Sequence, residues 1–414
     1  MGKKRLALTA SAVALTSIVL GACSNDRESG DITLDVWAIG WEAEQLVNEG
    51  YIKAFEDENP GVKVNLQAIP WDNIYDNLLT AVASGSGPDV VQLGTSYMAD
   101  FSSTGALMPL NDYVEEYPNL DPSHFFEGAV DSIMYNDDMM AVPWYVETRV
   151  LYYRTDLLAE VGYPEGPETW EELYDAATRL YERGDGLYAL TLPENDDTLP
   201  YIFAWQNGVE FETETKGVDF SDPAFIESVD YYTRFFKEDL APLGLGLDPM
   251  QSFVDGIQPM FFEPPFRYQQ LIDNYPDFEE WDTKVMPTKE NNDSVIGGSN
   301  MAVFEWTEHP DEAVAFLSYL TDRDTQIDYF KDVKVLPPRV DAWDDPALQE
   351  DKRFYRYFDQ LKHSRAQPQV LNWNRINDEW KRSEQRITRA GYSVEEEIAD
   401  FRSRIEPMIV TEED

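Results

Sequence analysis

The chain of 414 residues has little of the chemistry that metal and thiol sites need. It contains 3 histidines and 1 cysteine. His124, His309 and His363 lie far apart, without the H-x-x-x-H spacing of a zinc site. No G-x-S-x-G segment marks a nucleophilic serine. These absences remove the main support for zinc, thiol and serine-hydrolase chemistry, and we expect neither a metal nor a cofactor.

Basic residues are also scarce. The chain has 32 Lys and Arg residues against 79 Asp and Glu, a formal net charge of −47. Such a chain repels nucleic acid, which we exclude as a partner. The acids are spread along the whole sequence and not gathered in one block, which indicates a hydrated surface adapted to high salt. A strongly cationic ligand is the competing interpretation.

A long apolar run occurs only at the amino terminus. Lys3, Lys4 and Arg5 precede Leu6 to Leu20, a segment too short and too promptly followed by polar sequence for a membrane-spanning helix. We therefore predict a signal peptide over residues 1–22. Leu20 to Cys23 resembles the lipobox of bacterial lipoproteins, which predicts lipidation at Cys23 and a polar tether over residues 23–30. An ordinary secretory signal with an incidental cysteine is the alternative.

The remainder alternates strand-like and helix-like segments. Ile32, Leu34 and Val36 alternate with polar residues, a helical pattern follows, and residues 62–66 repeat the strand pattern. This rhythm predicts an α/β fold with mostly parallel sheets covered by helices, whose ligands bind beyond the carboxyl ends of the strands. Two segments lie at such ends, Gly40 to Glu42 and Gly94 to Tyr97. The length predicts two lobes.

The segment Ala141 to Leu158 carries the most informative charges. Its β-branched and aromatic residues favour a strand, and alternation places Glu147 and Arg149 on one face. An acid and a base inside an apolar strand form either a structural ion pair or a polar pair lining a cleft. We favour the cleft.

This segment, GSGPDVVQL at Gly85 to Leu93 and PETWEELYDAATRL at Pro167 to Leu180 together resemble the sugar-binding family of extracellular solute-binding proteins, relatives of maltose-binding protein that serve ABC importers. The matching blocks run from about Ile32 to Arg339. The resemblance implies a periplasmic-binding-protein-like fold of two lobes with a ligand cleft between them. It places residues 31–145 and 298–338 in the first lobe and residues 146–297 and 339–414 in the second.

The resemblance also implies a binding site. A sugar needs aromatic plates for its C–H faces and planar or charged groups for its hydroxyls. Trp41 and Trp373 are expected to stack on the ligand, with Phe266 as a weaker third plate, although core packing is the ordinary role of a tryptophan. The expected polar residues fall into two sets, a front set of Glu42, Glu147, Arg149 and Asn300 and a supporting set of Thr95, Ser96, Glu194 and Asn195.

These features predict a monomeric, lipid-anchored protein on the extracellular face of the membrane that captures a mono- or oligosaccharide and presents it to an ABC permease. It has no predicted catalytic residue. Abundant acids leave open an exported carbohydrate-active enzyme, because two of them could serve as its carboxylate pair. A binder of another solute, such as a polyamine or a compatible solute, is also open, although Arg149 beside Glu147 argues against a polyamine.

Overall fold

The computed structural model describes residues 31–194, 196–213, 217–244 and 246–410. The predicted signal peptide, the whole of the tether with Cys23, and Asn195 lie outside these residues. Within the described part, no helix is both long and apolar enough to cross a membrane.

The first part of the chain alternates parallel strands with helices, as predicted. Its elements are β1 (Ile32–Ile39), α1 (Gly40–Asn48), α2 (Tyr51–Glu58), β2 (Val62–Ile69), α3 (Trp71–Ser84), β3 (Val90–Gly94), α4 (Met98–Ser102), α5 (Glu127–Asp131), β4 (Met134–Tyr135), β5 (Asp138–Met139) and β6 (Val142–Glu147). Strand β3 is buried along its whole length, which explains its nearly continuous apolar sequence.

The middle of the chain is richer in helix. Its elements are β7 (Val150–Arg154), α6 (Thr155–Glu160), α7 (Trp170–Tyr181), α8 (Leu199–Gln206), α9 (Pro223–Lys237), α10 (Pro249–Val254), β8 (Met260–Glu263), α11 (Pro265–Asn274), β9 (Trp281–Lys284) and β10 (Ser294–Val303). The predicted cap of α7 is present, since the Thr169 hydroxyl accepts the N–H of Glu172 at 3.2 Å.

The last part is helical apart from one short strand. Its elements are α12 (Pro310–Leu320), α13 (Arg323–Val333), α14 (Pro346–Gln349), α15 (Lys352–Leu361), β11 (Ser364–Ala366), α16 (Trp373–Thr388) and α17 (Val394–Ile405). Helix α16 buries Trp373, Ile376, Trp380 and Ile387, the three- and four-residue spacing of an amphipathic helix.

Two sheets define two lobes. The six-stranded sheet of the first lobe has the order β11-β10-β3-β1-β2, with β6 also paired to β10. Strand β1 is parallel to β2 and β3, whereas β10 is antiparallel to β3 and β6. The second lobe has a three-stranded sheet in which β7 is antiparallel to both neighbours, β8 and β9. The two-lobed α/β fold is confirmed, but the mostly parallel sheet predicted for the second lobe is wrong, because both neighbours of β7 run opposite to it.

Three clusters of buried apolar side chains form the core, one within each lobe and one shared between them. One packs around Leu34, Val91 and Phe316 in the first lobe. Another packs around Tyr201, Phe225 and other aromatic residues of the second lobe. The third contains Phe126, Val146, Tyr152, Leu336 and Trp343, which come from segments expected in different lobes. It therefore supports the region where the chain crosses between lobes.

Strand β10 is central to that region. It pairs with β6 through residues 297–301, and Gly298 has a φ of +106°. A Cβ at Gly298 would lie 2.3 Å from the carbonyl oxygen of Tyr145. Glycine is therefore required here by both backbone conformation and close approach.

Candidate functional site

The carboxyl ends of the first-lobe strands carry exposed aromatic side chains. Trp41, in the first turn of α1, is 54% exposed, and Trp71, which begins α3, is 40% exposed. A Cβ on Gly40 would lie 3.2 Å from Trp71 Nε1 and 3.1 Å from Glu42 Oε2. Trp71 and Glu42 therefore lie side by side over the end of β1. The sequence analysis missed Trp71, although its place directly after Pro70 and β2 was a usable signal.

Phe266 is, with Trp41, the other exposed aromatic residue of the predicted set. It lies in the first turn of α11 in the second lobe and is 44% exposed. The guanidinium carbon of Arg267 lies 4.8 Å from the centre of its ring. One face of this ring is thus already occupied by a cation.

The carboxyl group of Glu147 is influenced by two other carboxyl groups, those of Glu42 and Glu263. Burial raises the pKa of Glu147 to about 7, with further rises from Glu42 and Glu263 and an opposing effect of Arg149. Burial also raises the pKa values of Glu42 and Glu263. The described residues form no hydrogen bond or ion pair with the Glu147 side chain. A ligand that donates hydrogen bonds would satisfy it.

A network of buried polar groups includes Tyr145, two residues before Glu147. Gln92 accepts the N–H of Ile39 at 2.5 Å and donates to the hydroxyl of Ser299 at 2.9 Å. Ser299 in turn donates to the hydroxyl of Tyr145 at 3.3 Å. Burial, followed by the nearby Glu42 and Glu147, raises the pKa of Tyr145 well above its ordinary value. The Tyr145 hydroxyl therefore stays neutral beside the two carboxyl groups.

Arg149 turns away from Glu147. Its Nη1 donates to Asp196 Oδ2 at 2.8 Å, and the side chains are 17% and 4% exposed. Asp196 Oδ1 accepts the N–H groups of Thr198 and Leu199 at 2.7 and 2.6 Å, so the acid also holds the start of α8. The sequence analysis missed Asp196, although an acid two residues before a helical Thr-Leu-Pro segment is typical of a cap.

The structure corrects the expectation for Trp373. This side chain is 1% exposed and packs against Tyr201 and Phe220, with ring centres 5.2 and 6.4 Å away. Its Nε1 donates to Gln367 at 2.8 Å. The ring therefore belongs to the core of the second lobe and has no free face for a ligand. The next residue, Asn374, reaches the first lobe instead and donates to the carbonyl of Ser96 at 3.4 Å.

Asn300 is also turned inward. It is 1% exposed, and its amide donates to the hydroxyl and carbonyl of Ser132 at 3.2 and 3.4 Å. Since successive residues of a strand point to opposite faces, Ser299 and Asn300 cannot both face the Gln92 network. The expected ligand contact of Asn300 is therefore corrected to a structural role.

The remaining predicted residues have separate positions. Glu194 accepts the N–H of Gly244 at 2.7 Å and pairs with Arg389, so its donors come from its own lobe. Asn195 lies outside the described residues. Thr95 is 6% exposed and Ser96 is partly buried at the end of β3. Of the predicted set, the structure thus brings Glu42 close to Glu147, with Trp41 adjacent to Glu42 in α1.

The described residues hold no group of three or more His, Cys, Asp or Glu side chains that could bind a metal ion. Two α/β lobes joined by paired crossing strands form the fold of a two-lobed solute-binding protein. Residues 43–327 match the family described as bacterial extracellular solute-binding protein. The chain belongs to this family.

Relatives and solved structures agree with this assignment. The arabinooligosaccharide-binding protein of Halalkalibacterium halodurans is 27% identical over 350 residues, which cover 80% of this chain and 77% of the relative. The sugar-binding protein MalE of Xanthomonas citri has a TM-score of 0.85 and 29% identity, covering 91% of this chain and 96% of its own. The GacH receptor of Streptomyces glaucescens, solved without ligand and with acarbose, has a TM-score of 0.77 at 22% identity, covering 91% and 97%. The family predicted from the sequence is confirmed.

Proposed function

We propose that this protein captures a mono- or oligosaccharide between its lobes and delivers it to an ABC importer. The observation that carries the proposal is the grouping of Glu42 and Glu147 with the exposed rings of Trp41 and Trp71. Carboxylates accept hydrogen bonds from sugar hydroxyls, and aromatic faces cover the C–H faces of the sugar ring. The named relatives that bind oligosaccharides support the same class of ligand.

Capture would proceed by closure of the lobes. We place the hinge at three crossings, near Tyr145 to Val146, Gly297 to Gly298 and Arg339, and retain the lobe boundaries predicted from the sequence. The N–H of Val146 donates to the carbonyl of Leu336 at 3.0 Å, so two crossings lie side by side. Ligand favours closure only to the extent that it binds the closed arrangement better than the open one.

The test is a thermal-shift screen of the chain that begins at Ser24, at high and low salt. The ligands are linear oligosaccharides of one to six rings from the arabino and gluco series, together with polyamines and betaines. Binding to the folded state should raise the midpoint by mass action. A rise of the midpoint with one sugar series supports the proposal and identifies the substrate. If no sugar raises the midpoint while another solute does, the proposal is contradicted.

A cationic solute is the second candidate, and one observation favours it. Arg149 is engaged by Asp196 and does not pair with Glu147, so the sequence-based argument against a polyamine is weaker in the structure. Two carboxyl groups and exposed aromatic rings could also enclose an ammonium group. The polyamine and betaine samples of the screen decide between the two ligand classes.

We also propose lipid attachment at Cys23 and a monomeric, extracellular protein without catalytic activity. A lipidated cysteine would keep the protein near its permease. Replacing Cys23 with alanine should release the protein from the membrane fraction, and continued membrane association would argue against the anchor. Incubation with oligosaccharides followed by chromatography should show no cleavage products.

A further inference from the structure

The lobes also meet away from the crossings. Residues 95–100 of the first lobe face residues 369–374 of the second, and we name this the rim contact. Asp100 Oδ1 accepts the N–H of Asn372 at 2.9 Å. The carbonyls of Thr95 and Ser96 accept the side-chain amides of Gln369 and Asn374, each at 3.4 Å. Three hydrogen bonds thus join the two lobes directly.

The acceptor on the first lobe is held in place before the lobes meet. Asp100 Oδ2 accepts the hydroxyl of Tyr75 at 2.9 Å. The Tyr75 ring packs against Tyr97 and Phe101, with ring centres 5.2 and 5.4 Å away. Because its second oxygen is fixed within its own lobe, Asp100 presents the first oxygen without rearrangement.

The donor on the second lobe belongs to the start of a long helix. Asn372 caps α16, with a φ of 63°, and α16 runs for 16 residues. A carboxylate near a helix amino terminus is favoured by the partial positive charge of the exposed N–H groups. Asp100 therefore contributes charge as well as a hydrogen bond to a helix of the opposite lobe.

An ion pair of the second lobe, Lys381 with Asp197, lies close enough to Tyr97 of the rim contact to influence its pKa. Lys381 of α16 pairs with Asp197 at 2.8 Å. Burial raises the pKa of Tyr97, Asp197 and Asp72 raise it further, and Lys381 opposes them. The Tyr97 ring thus lies near charges of the second lobe.

We propose that the rim contact limits the size of the ligand, so that Asp100, Gln369 and Asn374 determine the chain length that the cleft accepts. A sugar ring between two walls needs van der Waals contact on both faces, which requires about 7 Å between wall atoms. The rim contact joins wall atoms at 2.9–3.4 Å. A sugar ring therefore cannot pass between the lobes at the rim contact while these hydrogen bonds are present. The inference rests on the proposed sugar-binding function.

The test compares the chain beginning at Ser24 with a triple variant, Asp100→Ala/Gln369→Ala/Asn374→Ala. A control triple variant, Asp112→Ala/Gln67→Ala/Asn48→Ala, changes the same residue types at exposed first-lobe positions. Calorimetry with the one- to six-ring oligosaccharides gives the dissociation constant at each length. Breaking the rim contact should lower the ratio of long-chain to short-chain dissociation constants about fivefold or more. An unchanged length profile overturns the proposal.

A second measurement does not depend on the ligand. The chain beginning at Ser24 has no cysteine, so spin labels can be placed at Leu79→Cys and Tyr181→Cys, exposed helical positions on different lobes. The rim variant should shift the distance distribution toward larger separations, with the closed-to-open ratio reduced about fivefold or more. Identical distributions in the rim and control variants overturn the proposal. If no sugar binds but the distances shift, the sugar assignment fails while the rim contact is supported.

Discussion

The two lobes contribute different chemistry to the cleft. The first lobe presents exposed rings, Trp41 and Trp71, beside Glu42. The second lobe presents a buried polar cluster in which Arg149 is held by Asp196. An exposed ring can be removed at little cost to folding, whereas a buried charge that loses its partner destabilises the fold. We therefore expect substitutions in the first lobe to affect ligand binding and substitutions in the second to affect stability first.

The largest expected difference separates two tryptophans. Trp373→Ala should lower the free energy of unfolding by about 3–5 kcal/mol, because it opens a cavity in the second-lobe core. Trp71→Ala should change it by less than about 1 kcal/mol but weaken ligand binding roughly 5- to 30-fold. Denaturant unfolding and calorimetry measure the two effects. If Trp373→Ala weakened ligand binding without lowering the free energy of unfolding, the original prediction that Trp373 contacts the ligand would be supported.

The second largest effect is expected when the buried ion pair between Arg149 and Asp196 is broken. Arg149→Met leaves Asp196 without its cation, so we expect a loss of about 2–4 kcal/mol in unfolding free energy. The matched control is Arg179→Met, which breaks the exposed pair with Asp175 and should cost at most about 1 kcal/mol. Equal losses in the two variants would show that the Arg149 pair is effectively solvated.

The next largest effect is expected for ligand affinity, when Glu147 of the crossing strand β6 is replaced. Glu147→Ala should weaken binding of the sugar found in the screen by several-fold to about a hundredfold, because ligand hydroxyls lose an acceptor. Glu49→Ala, an exposed acid at the end of α1, is the control. Unchanged affinity in Glu147→Ala by calorimetry would remove this residue from the site.

The smallest expected effect is the pH dependence of binding. The raised pKa of Glu147, about 7, means that the free protein must ionise this group before both of its oxygens can accept hydroxyl donors. Sugar affinity should therefore rise up to about tenfold between pH 6 and pH 8. Glu147→Gln should make this profile flat, and a wild-type profile that falls with pH would contradict the assignment.

The same group affects stability in the opposite direction. Its pKa in the folded protein lies above the ordinary glutamate value, so the folded state binds more protons than the unfolded state between about pH 4.5 and 7. The stability of the ligand-free protein should therefore fall as pH rises through this window. Urea titrations of wild type and Glu147→Gln should differ most in pH dependence there.

The cleft shows how far local sequence rules extend. Strand alternation predicted that Glu147 and Arg149 share a face, but Asp196 lies 47 residues away from Arg149 and draws its guanidinium aside. The family resemblance also placed Trp373 at the ligand. Helical geometry buries Trp373 and turns Asn374 toward Ser96. Adjacent residues of a helix point in different directions, so a difference of one position decides whether a side chain lies in the core or reaches the other lobe.

The sequence by itself determined the family, the alternation of strands and helices, and the acidic character of the chain, because these depend on local order and composition. It also indicated Glu42, which follows a strand-like segment, and Glu147, a charged residue within an otherwise apolar strand-like segment. Only the tertiary structure decided the antiparallel sheet of the second lobe, the burial of Trp373 and Asn300, and the rim contact. Those features depend on which distant segments meet, and the side-chain pattern of a single segment does not contain that information.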